Sequence, residues 1–112
     1  MLTKKITIAI DNLDKADDKA YCNDAIDGII DTIFDFPSYV TNISLDKTNA
    51  HVYIKFDLGI CHTGDMVEIL IIEWLSTISQ TENKVQTKIK IEEEESKPIW
   101  CEIHTEIASI AS

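Results

Sequence analysis

The spacing of apolar residues constrains the fold of this chain most strongly, because it changes between two periods along the sequence. Segment 4–10 alternates, with Ile6, Ile8 and Ile10 on one side, and this two-residue period predicts a β-strand. Segment 17–34 repeats its apolar residues every three or four positions, which predicts an amphipathic helix. Alternation predicts further strands over residues 39–45, 50–58, 84–93 and 99–110, and helical spacing predicts a second helix over residues 64–79.

The predicted elements follow one another in the order β-α-β-β-α-β-β. A chain of 112 residues has the size of one domain, so we expect residues 1–112 to form a single compact α+β domain. The first six elements match the split βαβ, or ferredoxin-like, arrangement. We therefore expect a two-layer sandwich, in which two helices cover one face of an antiparallel sheet and a C-terminal fifth strand extends it. The opposite sheet face would be open to solvent or to a partner.

Local residue types predict how the two helices begin and which side chains they bury. Asp14 or Asp17 is expected to cap the first helix, and Thr63 or Asp65 the second. Each helix is expected to bury one apolar stripe. The predicted stripe of the first helix is Tyr21, Ala25, Ile26, Ile29, Ile30 and Ile33, and that of the second is Val67, Leu70, Ile71, Trp74, Leu75 and Ile78.

The net charge excludes two classes of partner. Twenty acidic residues stand against ten basic ones, giving a net charge of −10, and every basic residue is a lysine. Arginine, whose planar fork is the usual tool for recognising phosphates, is absent. A chain this acidic repels nucleic-acid backbones and anionic membranes, and it attracts basic surfaces. We therefore expect no direct binding of nucleic acid or membrane.

Acidic residues concentrate first in segment 11–35, which holds eight aspartates and only two lysines. Asp24, Asp27, Asp31 and Asp35 are three or four residues apart, so they are predicted to form a stripe along the first helix. Their axial spacing would be roughly 4.5–6 Å. Neighbouring carboxylates repel at this spacing. The stripe is either an ordinary solvated face or a surface that binds a basic partner.

A second acidic cluster, Glu92, Glu93, Glu94 and Glu95, follows the predicted fourth strand. It is either a soluble hairpin tip that keeps sheet edges apart, or a further part of the partner-binding surface. Trp100 is predicted on the open sheet face, where an exposed tryptophan would be a plausible centre of an interface. It would otherwise fold over the sheet edge.

Cysteine and histidine residues raise the question of a metal or catalytic site. Three cysteines form no disulfide framework, so we expect a reducing cytoplasm. Cys101 and His104 are three apart on a predicted strand and would point to opposite faces, which argues against zinc. Cys61 and His62 are adjacent, and adjacent side chains rarely form the hydrogen bond that activates a thiolate. We expect no metal, no cofactor and no catalytic residue, and therefore no enzyme.

Together these patterns predict a small cytoplasmic inhibitor that binds and blocks a basic, nucleic-acid-processing protein or nucleoprotein complex. An immunity protein that neutralises a nuclease toxin fits this description, as does a phage anti-defence protein such as an anti-CRISPR of the DNA-mimic type. The alternative is a self-associating ferredoxin-like module that binds a ligand or regulates a partner, with the open sheet face as a homodimer interface. The predicted partner-binding residues are Asp17, Asp24, Asp27, Asp31, Asp35, Glu92, Glu93, Glu94, Glu95 and Trp100.

Overall fold

An antiparallel β-sheet with two α-helices is formed by the residues that the computed structural model describes, which are residues 2–93 and the backbone of residues 98–101. This α+β architecture is compatible with a two-layer sandwich. A short 3-10 helix, Leu13–Lys15, lies between the first strand and the first helix. The strands are β1 (Thr3–Asp11), β2 (Val40–Lys47), β3 (His51–Gly59), β4 (Gln86–Glu93) and β5 (Pro98–Cys101), and the helices are α1 (Lys19–Phe34) and α2 (His62–Thr81).

The sheet has the strand order β2-β3-β1-β4-β5, and each neighbouring pair is antiparallel. β1 pairs with both β3 and β4, so that Ile8 lies opposite Ile54 on one side and Ile89 on the other. All three isoleucines are buried. The core therefore lies between this face of the sheet and the helices, as the alternation in the sequence predicts.

The buried face of the helices is narrower than the sequence predicts. Val67, Ile71, Leu75 and Ile78 are fully buried, whereas Leu70 is 39% exposed and Trp74 is 38% exposed. Their predicted burial is wrong. The four buried residues, at positions i, i+4, i+8 and i+11 from Val67, already form the face of α2 that packs on the sheet. Leu70 and Trp74 lie one residue earlier on the helix, about 100° around its axis.

In α1 the buried residues also differ in part from the predicted ones. Tyr21 and Ile30 are only partly buried, and Cys22 is 2% exposed. The remaining predicted core residues of this helix are buried: Ala25, Ile26, Ile29 and Ile33.

Both predicted helix caps are wrong, by one residue for α1 and by two for α2 when the nearer candidate is taken. Asp18 caps α1, because its Oδ1 accepts a hydrogen bond from the Tyr21 N–H at 3.0 Å. Extended backbone at Ala16 ends the 3-10 helix first, which moves the capping position beyond Asp14 and Asp17. Cys61 caps α2, since its Sγ accepts from the Gly64 N–H at 3.4 Å.

A buried carboxylate joins the end of α2 to the start of α1. Glu82 is only 2% exposed, and its two oxygens accept hydrogen bonds from the backbone N–H groups of Asp17 and Asp18, at 2.9 and 2.7 Å. A negative charge at a helix N-terminus is favoured by the helix dipole. This contact fixes the two helices relative to each other and thereby orients the outer face of α1.

The predicted fifth strand, 99–110, falls mostly outside the described residues. The backbone of Pro98–Cys101 pairs with β4, with Ile99 opposite Ile91. Residues 102–110 lie beyond the described part of the chain.

Candidate protein-binding site

The four aspartates of the predicted stripe are all exposed on α1. The Asp27 Oδ1 lies 3.7 Å from the Lys47 Nζ, and both side chains are well exposed, so this ion pair is weak. The carboxylates of Asp24, Asp31 and Asp35 make no hydrogen bond or ion pair with any described residue. Three unneutralised charges therefore face outward along one helix.

Gly28 places the aspartates beside α2. It follows Asp24 by four residues and precedes Asp31 by three, so the three residues lie on one stripe of α1. The indole of Trp74 lies directly against this glycine, because a Cβ built on Gly28 would approach the Trp74 Cε2 and Cζ2 atoms to 2.7 Å. Asp24 and Asp31 thus lie one turn before and one turn after the point where α1 meets Trp74.

α2 carries an apolar patch on its outer side, which we call the α2 patch. Its members are Met66 (51% exposed), Ile69 (55%), Leu70 (39%) and Trp74 (38%). Their spacing of i, i+3, i+4 and i+8 makes them contiguous on the helix. Isolated exposed apolar residues are ordinary, but contiguous ones mark interaction surfaces.

The C-terminal end of α1 is electrostatically unfavourable for the helix itself. Asp31 is in the last turn and Asp35 is the C-cap residue, and the last turn contains no basic residue. Each carboxylate near the negative end of a helix dipole costs about 0.3–1 kcal/mol at low salt. Helix stability alone does not explain this placement.

The other predicted contact residues are not gathered on this surface. Asp17 is exposed just before α1, and its Oδ1 lies 3.4 Å from the Lys84 Nζ. The Glu92 Oε1 lies 2.7 Å from the Lys90 Nζ, and Glu92 is on the open face of the sheet, away from α1. Glu93 alternates to the helix-covered side of the sheet, in register with Lys4.

Three of the predicted contacts lie outside what the structure describes. They are Glu94, Glu95 and the side chain of Trp100, whose backbone pairs with Lys90.

Several lysines are grouped on the open face of the sheet. Alternation in the sequence predicts Lys55 on this face, but the grouping depends on the pairing of β1 with β3 and β4, which the sequence does not give. Four lysines of the described residues lie there: Lys5, Lys55, Lys88 and Lys90. Thr7 lies directly opposite both Lys55 and Lys90, and a shallow depression of about 400 Å³ surrounds it. The structure thus separates an acidic helix layer from a sheet face on which lysines and carboxylates are mixed.

Tyr53 lies on that open face and is 38% exposed. Its hydroxyl donates a hydrogen bond to the Asp11 Oδ1 at 2.7 Å, and its ring stacks on His51 with centroids 4.3 Å apart. The hydrogen bond to Asp11 raises the pKa of Tyr53. Tyr53 is therefore held in place by one hydrogen bond and one stacking contact.

The cysteine and histidine side chains form no reactive cluster in the described residues. Cys22 is buried, and this burial, aided by the negative charges of Glu82 and Asp18, raises the pKa of its thiol to about 11. Cys61 is engaged as the cap of α2. Over residues 2–93, no three His, Cys, Asp or Glu side chains are grouped so that they could hold a metal ion.

The comparisons with known proteins assign no family. No protein-family model matches the chain, and neither a curated protein nor a solved structure matches it. Neither helix of the described chain has the length and apolar character that crossing a membrane requires.

Proposed function

We propose that this chain is a small inhibitor that acts in the cytoplasm by binding a basic, nucleic-acid-processing protein or nucleoprotein complex. The observation that carries the proposal is the row of exposed carboxylates on α1, of which Asp24, Asp31 and Asp35 have no partner among the described residues. A row of exposed negative charges along a helix offers lysines and arginines the same kind of contact as a phosphate backbone.

Complementary charge gives this mode of inhibition a kinetic advantage. Opposite potentials steer two proteins together and raise the association rate, while the buried contacts at the centre set the lifetime of the complex. A toxin-neutralising immunity protein and a phage anti-defence protein of the anti-CRISPR or DNA-mimic type both need fast capture of a basic target. Both roles remain within the proposal.

The fold inference that accompanies this proposal is a ferredoxin-like order of elements with a fifth strand at the edge of the sheet. It is supported by the strand order β2-β3-β1-β4-β5 and by the pairing of the Pro98–Cys101 backbone with β4. In this arrangement both helices share one face, so the aspartate row and the α2 patch belong to one surface.

Self-association through the open sheet face is the alternative, and the lysines there weigh against it. Lysine is depleted in protein interfaces because its ammonium group is costly to desolvate. A symmetric dimer would bring Lys5, Lys55 and Lys88 towards a second copy of themselves. The measured mass of the protein in solution tests this alternative directly, since a monomer at working concentration contradicts it.

The test of the proposed function is capture of partners from a lysate of the native host. The wild-type protein is compared with an Asp24→Asn, Asp31→Asn, Asp35→Asn variant at low and high salt. A control variant with Asp14, Asp46 and Asp65 changed to Asn loses the same charge from other surfaces.

We expect one basic, nucleic-acid-binding protein to be retained by the wild type and the control, lost by the row variant, and released by salt. Equal loss in both variants would show that net charge alone causes retention. Capture that no variant alters would contradict the proposal.

A further inference from the structure

We infer that the groove beside Leu70 and Trp74 on α2 is the centre of the interface and that it receives an apolar side chain from a basic amphipathic helix of the partner. This inference rests on the proposed function, because it supplies the apolar part of a contact whose charged part is the aspartate row. The occupant is defined by its chemistry, as an α-helix with an apolar stripe bordered by lysine or arginine.

The first support is that α2 is apolar on two sides. Its inner side is buried against the sheet through Val67, Ile71 and Leu75, while the α2 patch lies outside. A helix of a small domain normally carries polar residues opposite its buried stripe. An apolar outer side is typical of a helix that a second molecule covers.

The second support is the shape of the groove. Leu70, Glu73, Trp74 and Thr77 line a shallow groove of about 200 Å³. The Thr77 hydroxyl donates a hydrogen bond to the Glu73 backbone oxygen at 2.8 Å, so its donor is satisfied within the helix. The groove therefore offers an apolar wall and one carboxylate, which suits an aliphatic or aromatic side chain that has a cation beside it.

The third support is the position of the charges around the groove. Asp24 and Asp31 lie on the α1 side, one turn before and after the contact between Gly28 and Trp74. Glu73 is exposed on the α2 side. The groove therefore has carboxylates on its α1 side and a carboxylate in its own α2 wall, which is complementary to an apolar side chain flanked by basic residues. Tryptophan is also the residue most enriched at interface hot spots.

Gly28 holds the indole in the place this contact needs. Any larger residue at position 28 would push the Trp74 ring away from α1. The ring therefore already packs against α1 in the unbound protein, and preorganised groups lose less entropy on binding.

The experiment uses two synthetic probes and the fluorescence of Trp74. The chain contains two tryptophans, so Trp100→Phe leaves Trp74 as the single emitter. One probe is a leucine–lysine peptide designed as an amphipathic helix, and the other is an oligolysine of equal charge. We expect the amphipathic peptide to shift the Trp74 emission to the blue and to bind at least about tenfold more tightly than oligolysine.

Three variants, made in this background, locate the contact. Leu70→Ala is expected to weaken binding of the amphipathic peptide about tenfold, and Met66→Lys, at a well-exposed position, to weaken it by charge repulsion. Phe34→Ala removes an apolar side chain that is 55% exposed at the end of α1, and it should leave binding unchanged.

Equal binding of both probes with unchanged Trp74 emission would contradict the inference that the groove binds an apolar side chain. The aspartate row would then account for all of the binding. Loss of affinity in the Leu70 and Met66 variants, with no effect of Asp24→Asn and Asp31→Asn, would support the groove but contradict the proposed acidic contact. Equal losses of peptide affinity in the Phe34 and Leu70 variants would show that the peptide binds non-specifically to exposed apolar residues, and this would also contradict the inference about the groove.

Discussion

The indole of Trp74 packs closely against α1 at Gly28, where a Cβ would come within 2.7 Å of the ring, so that a larger residue would require the ring to shift. A glycine inside a helix costs about 1 kcal/mol relative to alanine. The packing of a partly exposed ring is an unusual reason to accept that cost. We infer that the missing side chain at Gly28 allows the Trp74 ring to pack against α1 between Asp24 and Asp31.

Gly28→Ala tests whether the residue at position 28 determines the position of the Trp74 ring. The added methyl group should displace the ring, while the better helix propensity offsets the lost contact, so the free energy of unfolding should change by no more than about 1 kcal/mol. Trp74 emission in the Trp100→Phe background should shift to the red as the ring moves into water. An unchanged emission maximum would show that the ring does not depend on position 28.

Gly64→Ala is the matched contrast. It makes the same change in the other helix, but here the new Cβ would overlap the backbone carbonyl oxygen of Gly59. Backbone cannot swing aside as a surface ring can, so we expect the free energy of unfolding to fall by about 3 kcal/mol. Urea denaturation of the two variants side by side measures the difference, and equal stabilities would refute this packing argument.

Asp31→Asn and Asp35→Asn should each stabilise the protein. Both carboxylates lie at the C-terminal end of α1, where no basic residue opposes them. Removing each charge should raise the free energy of unfolding by about 0.3–1 kcal/mol at low salt, and by less at high salt. Asp14→Asn, outside α1, serves as the control. A loss of stability in either variant would mean that the carboxylate has a stabilising partner.

Glu82→Gln should destabilise the protein although it keeps the shape of the side chain. The amide retains one acceptor oxygen, so one of the two backbone N–H groups of Asp17 and Asp18, just before α1, loses its partner, and the favourable charge at the helix end is lost. A loss of about 2 kcal/mol is expected. Glu73→Gln, at an exposed position, should be nearly neutral. Urea denaturation that shows the two variants to be equally stable would contradict the role of Glu82.

Cys22 should resist alkylation at neutral pH, because its thiol is buried and its pKa is raised from 9.0 to about 11. The raised pKa means that the folded state keeps a proton which the unfolded chain loses. The corresponding stability is present below about pH 9 and is lost as the pH rises towards 11. Mass spectrometry of iodoacetamide-treated native protein should find Cys61 modified before Cys22. Preferential modification of Cys22 would contradict its burial.

The sequence predicts the elements of this fold well because its two apolar periods are clear. The alternation of Ile6, Ile8 and Ile10 and the helical spacing of Ile26, Ile29 and Ile33 leave little room for another assignment. Within residues 2–93, the predicted element ends differ from the observed ones by at most two residues, since caps depend on local contacts. The cap at Cys61 is an example, because sulfur is a weak acceptor that preference rules rank low.

The candidate site was only partly predictable, because it depends on which helix faces meet. The aspartate row follows from spacing within α1 alone. The exposure of Leu70 and Trp74 depends on how α2 packs, and apolar spacing cannot distinguish a buried stripe from an exposed one beside it. The lysines of the open sheet face come together only through pairing of β1 with both neighbours.

Competition for the partner tests the central claim most directly. A labelled nucleic acid is bound to the captured basic protein, and its fluorescence anisotropy is followed as the inhibitor is added. We predict that the wild type displaces the nucleic acid at about equal concentration to the target. The Asp24→Asn, Asp31→Asn, Asp35→Asn variant should require at least about tenfold more, which corresponds to about 1.4 kcal/mol of lost binding free energy. Nucleic acid that stays bound while the wild-type protein joins the complex would contradict the claim that the aspartate row occupies the phosphate-binding surface.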